Sequence, residues 1–527
     1  MLARSPNRIV ADLTSRLSQA EAAFHRAYWE SQIRSTPDND RLRAESELAV
    51  RRLKGDRESH EAVTLALEEE IHDPLVKRQL EILRLSLTAN QMDESDRNAI
   101  VDLATAVEGS FTSFRAEVDG QRLTENDIEV ILRTEETNDR RRRTWEASKK
   151  IGSLLGPRIR ELARLRNKVA RDLGWPDYYR MALDLQELSE EWLFGQLDDL
   201  ENVTKAPFLA YKRELDASLT KRFETSELYP WHYADPFFQS VPPDGRASLD
   251  DLFEGMSAAD LAERTFSGWG IDISTILAAS DVFPRERKSQ HAFCLDIDRT
   301  GKDIRILANV VPGERWVEVM LHESGHAAYD ASIDPHLPWT LRRAAHTFVT
   351  EAIAIMSGNL MRDREWLESV AQAPADRVAE LSGGLVRADI AQRLIFIRWG
   401  LVMSHFERDL YSDPEADLDL RWWELVERFQ DIAAPPSIPV DTWAAKIHLA
   451  VAPVYYHNYL LGEVLAAQLR ATVESECGGG FVGSLDAGGF LTERVFRHGQ
   501  LLPWDALIES ATGRGLSSSD LGRVLAG

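Results

Sequence analysis

Across the first 225 residues, apolar side chains recur at three- and four-residue intervals between charged ones, through 8–31, 40–54, 59–87 and 95–118. Such spacing lines the apolar groups along one face of a 3.6-residue repeat and predicts long amphipathic helices. The arginine run at 140–143 follows Glu135, Glu136 and Asp139 and leads into a helical pattern containing Trp145. It reads as the solvated face of a mixed-charge helix rather than a basic binding patch. Three stretches break the pattern. Residues 229–250, YPWHYADPFFQSVPPDGRASLD, concentrate proline, glycine and aromatics and read as a long connection between two lobes. Residues 290–311 alternate apolar and polar side chains around Arg299-Thr300-Gly301-Lys302, which predicts a β-hairpin. The glycine-rich CGGGFVGSLDAGGF after Glu476 lacks the strand-to-helix setting of a phosphate loop and reads as a flexible loop.

Composition narrows function by exclusion. A formal net charge of −24 over 527 residues argues against nucleic-acid binding, because phosphate recognition needs a basic surface. The length suggests about three or four domains or one large helical enzyme. Such a chain buries roughly 75% of its unfolded surface and needs no metal merely to fold, so any metal has to be argued from chemistry. Cys294 and Cys477 are the only cysteines, too few for a disulfide scaffold or a thiolate zinc cluster. The longest apolar stretch, near 444–469, is broken by Lys446, His448, His457 and Glu463, so no segment reads as membrane-spanning. The N-terminal residues carry charges throughout and lack an apolar signal core, which makes the cytoplasm the expected location.

Chemistry enters with VEVMLHESGHAAYD. His322 and His326, four residues apart on a helix, share one face and can hold one tetrahedral ion, usually zinc. Glu323 then lies beside the open coordination position, where it can take a proton from water acidified by the ion. Val317, Leu321 and Ala328 form the packed side of the same helix. Gly325 costs about 1 kcal/mol relative to alanine inside a helix, which is understandable if something must approach closely there. Downstream, HTFVTEAIAIMSGNL sets Glu351 between Val349 and Ile353 in an apolar helical pattern. It is either the third ligand that a catalytic zinc needs or a helix-start carboxylate behind a Thr347 or Thr350 cap. Asp330, one turn after His326, either orients a ligand imidazole through its second nitrogen or is a surface aspartate.

Around these residues the chain resembles the angiotensin-converting-enzyme-like peptidyl-dipeptidases, HExxH zinc peptidases whose third ligand is a downstream glutamate. LPWTLRRAAHTFVTEAIA looks like the family stretch that delivers that ligand, and RWWELVERFQDIAAPP looks like its Trp-Trp to Pro-Pro stretch. AAKIHLAVAPVYY resembles the segment in which a lysine and a histidine line the site, and ELARLRNKVARDLGWPDYY an upstream helix and turn. The run YYHNYLLGEVLAA is as similar to thimet oligopeptidase and the oligoendopeptidases. The likeness spans most of residues 160–470.

The resemblance implies a mainly α fold: a large two-lobed helical ellipsoid around a deep central channel, with a small β-sheet near the zinc and residues 1–527 forming a single catalytic domain. It implies one Zn2+ per chain bound by His322, His326 and Glu351, with Glu323 as general base and later proton donor. His448 would hydrogen-bond the substrate carbonyl or its oxyanion, and Lys446 would bind the free C-terminal carboxylate. Tyr456 and Tyr459 keep the spacing of the family's two tyrosines, one for the carboxylate and one for the oxyanion. Their distance from His448 differs by about one residue from the family pattern, so Tyr455 competes with Tyr456 for the first role. His291 and Ala292 resemble edge-strand residues that pair with the substrate backbone, with a plain strand as the alternative. Ile355 stands where the family usually has an acidic residue orienting a ligand histidine, so that task is either lost or moved, with Asp330 the replacement at hand. Val426 replaces a chloride-binding arginine of animal members, and chloride activation through that site is not expected.

The implied activity is hydrolysis of short peptides. It releases C-terminal dipeptides if Lys446 grips the terminal carboxylate, and cuts internally if it does not. A peptide-binding protein without turnover is the reading from another class, and the intact motif residues argue against it.

Overall fold

The computed structural model of the chain describes residues 5–242, 249–478 and 480–526. The chain opens with α1 (Pro6–Ile33), α2 (Pro37–Lys54), α3 (Arg57–Glu68), α4 (Pro74–Thr88) and α5 (Glu94–Ser113). A hairpin, β1 (Ala116–Val118) and β2 (Gln121–Leu123), leads into α6 (Glu125–Thr134), α7 (Asn138–Asp172), α8 (Tyr178–Asp184) and α9 (Glu190–Arg222). Next come α10 (Asp250–Phe253), α11 (Ala258–Gly268) and α12 (Ser274–Ala279), then the hairpin β3 (Phe293–Asp296) and β4 (Ile304–Leu307). The metal motif lies on α13 (Glu314–Ala331), followed by α14 (Thr347–Asn359), α15 (Arg364–Ser369), α16 (Ala375–Ser412) and α17 (Leu418–Gln430). The chain closes with α18 (His448–Val451), α19 (His457–Glu476), α20 (Leu485–Arg494), α21 (Trp504–Thr512) and α22 (Ser519–Ala526). The fold is mainly α, with two small two-stranded sheets among the described residues.

Local chemistry explains where the boundaries fall. The periodic stretch 59–87 is two helices: α3 stops at Glu68, and Pro74, suited to the first position of a helix, starts α4 behind an Asp73 cap that accepts from the Leu75 and Val76 N–H groups. The pattern through 95–118 overruns α5: Ala116–Val118 pairs with Gln121–Leu123 across Asp119 and Gly120, both at positive φ, 54° and 78°. An Asp-Gly pair of this kind favours the two-residue hairpin turn, a signal that the helical period masked. The glycine-rich segment is only partly a loop. Ser484 caps α20 by accepting from Ala487 N–H, and a Cβ at Gly488 would collide with the Trp269 carbonyl, so this glycine serves packing. Residue 479 of that segment lies outside the described residues.

The arginine run is not uniformly solvated. Arg140, Arg142 and Arg143 pair at the surface with Glu135, Asp139 and Asp119, whereas Arg141 is 1% exposed and donates to the Trp231 and Tyr233 carbonyls at 2.8 and 3.1 Å. It fastens part of the 229–250 connection to α7; residues 243–248 of that connection lie outside the described residues.

Two compact units are present. Unit 1 comprises Met1–Gln91, Ala247–Gly383 and Leu461–Leu521. Within it Leu13 and Leu17 of α1 meet Val63 of α3 and Leu80 and Leu83 of α4, and Trp29 packs with Ile297 and Leu307 at the β3–β4 hairpin. Each such fully buried side chain contributes about 1.5–3 kcal/mol. Unit 2 comprises Met92–Arg246, Gly384–Leu460 and Gly522–Gly527. It buries Trp145, Trp399 and Trp443, and Gly152 and Gly156 of α7 make room for Asp441. Among the described residues no helix is long and apolar enough to cross a membrane.

Candidate functional site

In unit 1, Val317, Leu321 and Ala328 of α13 are buried, which turns His322 and His326 onto the opposite face with ring centroids 5.1 Å apart. A Cβ at Gly325 would come within 2.9 Å of Ala354 Cα and 3.0 Å of Ser357 Oγ on α14. The close approach expected at this glycine is therefore that of the α14 backbone. It brings Glu351 Oε2 to 3.8 Å from His322 Nε2, and ligand atoms of His322, His326 and Glu351 all lie within 4.8 Å of one another. Helix α14 is capped by His346, whose Nδ1 accepts from Phe348 N–H at 3.2 Å. Neither Thr347 nor Thr350 is the cap, and Glu351 sits a full turn inside, 8% exposed.

This donor set fits zinc. A tetrahedral ion with bonds of about 2.1 Å sets its donor atoms about 3.4 Å apart, within small side-chain adjustments of the spacing present. Burial pushes His322 down to about 4 and His326 down to about 3, keeping both imidazoles neutral, the state that ligates metal. His326 Nδ1 is hydrogen-bonded to Thr350 Oγ1 at 2.7 Å, which leaves Nε2 for a metal. Thr350, not Asp330, thus holds His326. Asp330 hydrogen-bonds neither histidine; burial and the nearby Asp296 carboxylate raise it to about 7, against Arg343 and Arg299. Glu318, one turn before His322, raises the basicity of that ring and pairs with Arg362 at 2.8 Å. Ile355 packs where a Cβ on Gly462 of α19 would lie 3.2 Å from it and from Glu351 Cβ, so its position serves close packing over the carboxylate.

Glu323 is 8% exposed, and burial together with the Glu351 charge raises it to about 8, opposed by the Cys294 backbone N–H on β3. A divalent cation at the trio would favour the carboxylate form a base requires. His291 and Ala292 precede the strand rather than lie on its edge. The β3–β4 register begins at Phe293 opposite Leu307, and beyond it Ala308 and Val310 bond Asp281 and Val282 on the other edge of β4 rather than 291 and 292.

The other predicted residues belong to unit 2. Lys446 Nζ donates to Gln239 Oε1 at 2.7 Å and lies 5.4 and 5.8 Å from the Trp399 and Phe237 ring centroids. Burial lowers it to about 8, and no carboxylate among the described residues lies within 4 Å of it. Gln239 is itself fixed, its N–H donating to Asp235 Oδ2 at 2.9 Å and its carbonyl accepting from Gln392 at 3.1 Å. Sequence reasoning missed Gln239, which carries no motif and lies 207 residues from its partner. The His448 ring is 5.3 Å from Tyr456, and Tyr459 is 5.7 Å from Tyr456 and 5.2 Å from Tyr455. Tyr456 is 4% exposed, its hydroxyl accepting from the Trp399 indole at 3.2 Å, whereas Tyr455 and Tyr459 are half-buried. Val426 is buried at 5% exposure.

Residues 278–525 match the family model described as peptidase family M3, and residues 4–205 match the one described as angiotensin-converting enzyme. The first span contains the His-Glu-Ser-Gly-His motif, Glu351 and residues 446–459; the second extends the likeness through the N-terminal helices. No curated protein matches the chain.

Proposed function

We propose that the chain, a metallopeptidase by its similarity to both matched families, uses one zinc ion to release dipeptides from the free C-terminus of short oligopeptides. The observation that carries this reading is the Lys446 ammonium, desolvated and held by an amide oxygen and two aromatic rings but by no carboxylate among the described residues. Asp235, Glu125 and Glu129 act on this charge only from beyond 4 Å and do not offset the cost of its burial, and a peptide's terminal carboxylate supplies a direct counter-charge. The Nε2 of Gln239 adds a second donor.

In this reading His322, His326 and Glu351 hold one zinc ion. When bound, zinc supplies a Lewis acid for the scissile carbonyl and the attacking water. Glu323 takes the water's proton and delivers it to the leaving nitrogen. His448 and Tyr459 donate hydrogen bonds to the oxyanion, contacts typically worth about 3 kcal/mol at the transition state. Tyr456 orients the carboxylate end of the substrate. Internal cleavage of short peptides is the second reading, favoured by the M3 match across the segment that resembles the oligopeptidases.

Mass spectrometry of the products from an unmodified decapeptide and its C-terminal amide, with and without a chelator, separates them. Stepwise loss of dipeptides from the free acid alone is the expected result. Internal cuts in both peptides select the second reading, and chelator-insensitive cleavage removes zinc from the site.

A further inference from the structure

The chain between His448 and Tyr459 turns sharply: α18 ends at Val451, α19 begins at His457, and Val454 between them sits at φ 54°. A β-branched residue in the left-handed region is a steric outlier that persists only where its surroundings over-determine it, and such outliers cluster at functional sites. Side chains from three other parts of unit 2 do the determining. Glu407 of α16, 2% exposed, accepts the Val454 N–H through Oε1 at 2.7 Å. Gln186, just after α8, donates to the Val454 carbonyl at 3.3 Å and accepts from His457 Nε2 at 3.2 Å. Arg166 of α7, 6% exposed, donates to the Leu449 and Ala450 carbonyls at 3.2 and 2.6 Å and to the Tyr411 hydroxyl at 3.0 Å.

A helix position that only needed filling would take an apolar residue, because a buried ionisable group costs more than it returns unless its bonds are specific. Here Glu407 accepts from the main chain of Val454, and Arg166 spends two of its three bonds on the main-chain carbonyls of Leu449 and Ala450, the third going to the Tyr411 hydroxyl. We propose that Glu407 and Arg166 are positioning residues that lock the 449–454 turn, and through it His448 and Tyr459, in one arrangement before substrate arrives. Donors fixed in advance need no reorganisation as charge develops on the carbonyl oxygen, so the benefit falls on turnover rather than on substrate affinity. Val454 is the point where the turn is held against its own steric preference, with Glu407 as the pin. The inference rests on the assignment of His448 and Tyr459 to the oxyanion.

The test compares zinc-loaded Glu407→Leu, Glu407→Gln and Val454→Gly with His448→Ala and Tyr459→Phe, measuring kcat, KM, zinc content and Tm. Glu407→Leu is expected to lower kcat about tenfold with KM and zinc content unchanged, and Glu407→Gln, which keeps an acceptor for Val454 N–H, to restore most of it. Val454→Gly relieves the backbone conflict but also removes a side chain that is only 1% exposed, so Tm falls for packing reasons alone; the diagnostic result is a lower kcat with KM and zinc content unchanged, a split that a merely structural role does not give. If His448→Ala and Tyr459→Phe abolish turnover while Glu407→Leu and Val454→Gly keep the wild-type kcat, the positioning role is overturned and the oxyanion assignment stands. Full turnover in His448→Ala and Tyr459→Phe overturns the assignment and the positioning role with it.

Discussion

The hydroxyl of Thr350 decides which imidazole nitrogen of His326 is left for a metal. Thr350→Val keeps the shape and removes the hydrogen bond, and is expected to weaken zinc binding about 10- to 100-fold in a chelator-competition assay, with Thr350→Ser close to wild type. Glu323→Gln should lower turnover by about 100- to 10,000-fold, the usual worth of a general base, while atomic absorption still finds zinc bound. Residual turnover at the wild-type rate removes Glu323 from that role. Lys446→Ala should raise KM for free-acid peptides and leave amidated peptides nearly unaffected; equal losses on both would take Lys446 away from the carboxylate. At this scale the sequence was informative where partners lie within one helical turn, as in His322-Glu323-Ser324-Gly325-His326. It was silent on Thr350 and Gln239, whose roles come from contacts with residues 24 and 207 positions away.

The packing of α13 on α14 is what joins Glu351 to the two histidines. Gly325→Ala gains about 1 kcal/mol of helix propensity. It also drives a methyl group to within 2.9 Å of the Ala354 backbone, which has no flexible end to yield. Overpacking of this kind costs about 1–3 kcal/mol, so the clash outweighs the propensity. Thermal unfolding of the metal-free protein should show a lower Tm for Gly325→Ala, and zinc affinity should fall as the helices part; an unchanged Tm would mean that the contact is slack. Helices and the β3–β4 hairpin were legible because a 3.6- or two-residue period is written in consecutive residues. The Asp119-Gly120 hairpin and the break before Pro74 show where a short local signal, a turn pair or one proline, overrides the surrounding period.

For the molecule as a whole, buried carboxyls tie stability to pH. Burial raises Glu407 to about 8, opposed by the Val454 N–H and the Arg166 charge. Below the ordinary carboxyl range, near 4.5, folded and unfolded chains both hold this proton. Between there and about 8 the unfolded chain has lost it while the folded chain keeps it, so the contribution of Glu407 to stability declines as pH rises through that window. Urea unfolding from pH 5 to 8 should therefore show Glu407→Gln gaining on the wild type by up to about 1.4 kcal/mol per pH unit, and a constant difference would contradict the raised value. The amino-acid sequence by itself determined the helical class, the placement of two imidazoles and a carboxylate along one helix, and the absence of a thiolate site, since each depends on neighbours in the chain or on composition. Tertiary structure alone decided that Thr350 rather than Asp330 holds His326, that His291 and Ala292 fall short of the strand, and that Gln239 meets Lys446. A helical or strand repeat fixes which residues share a face within a few turns; which faces meet, and at what distance, is set by the packing of backbones far apart in sequence.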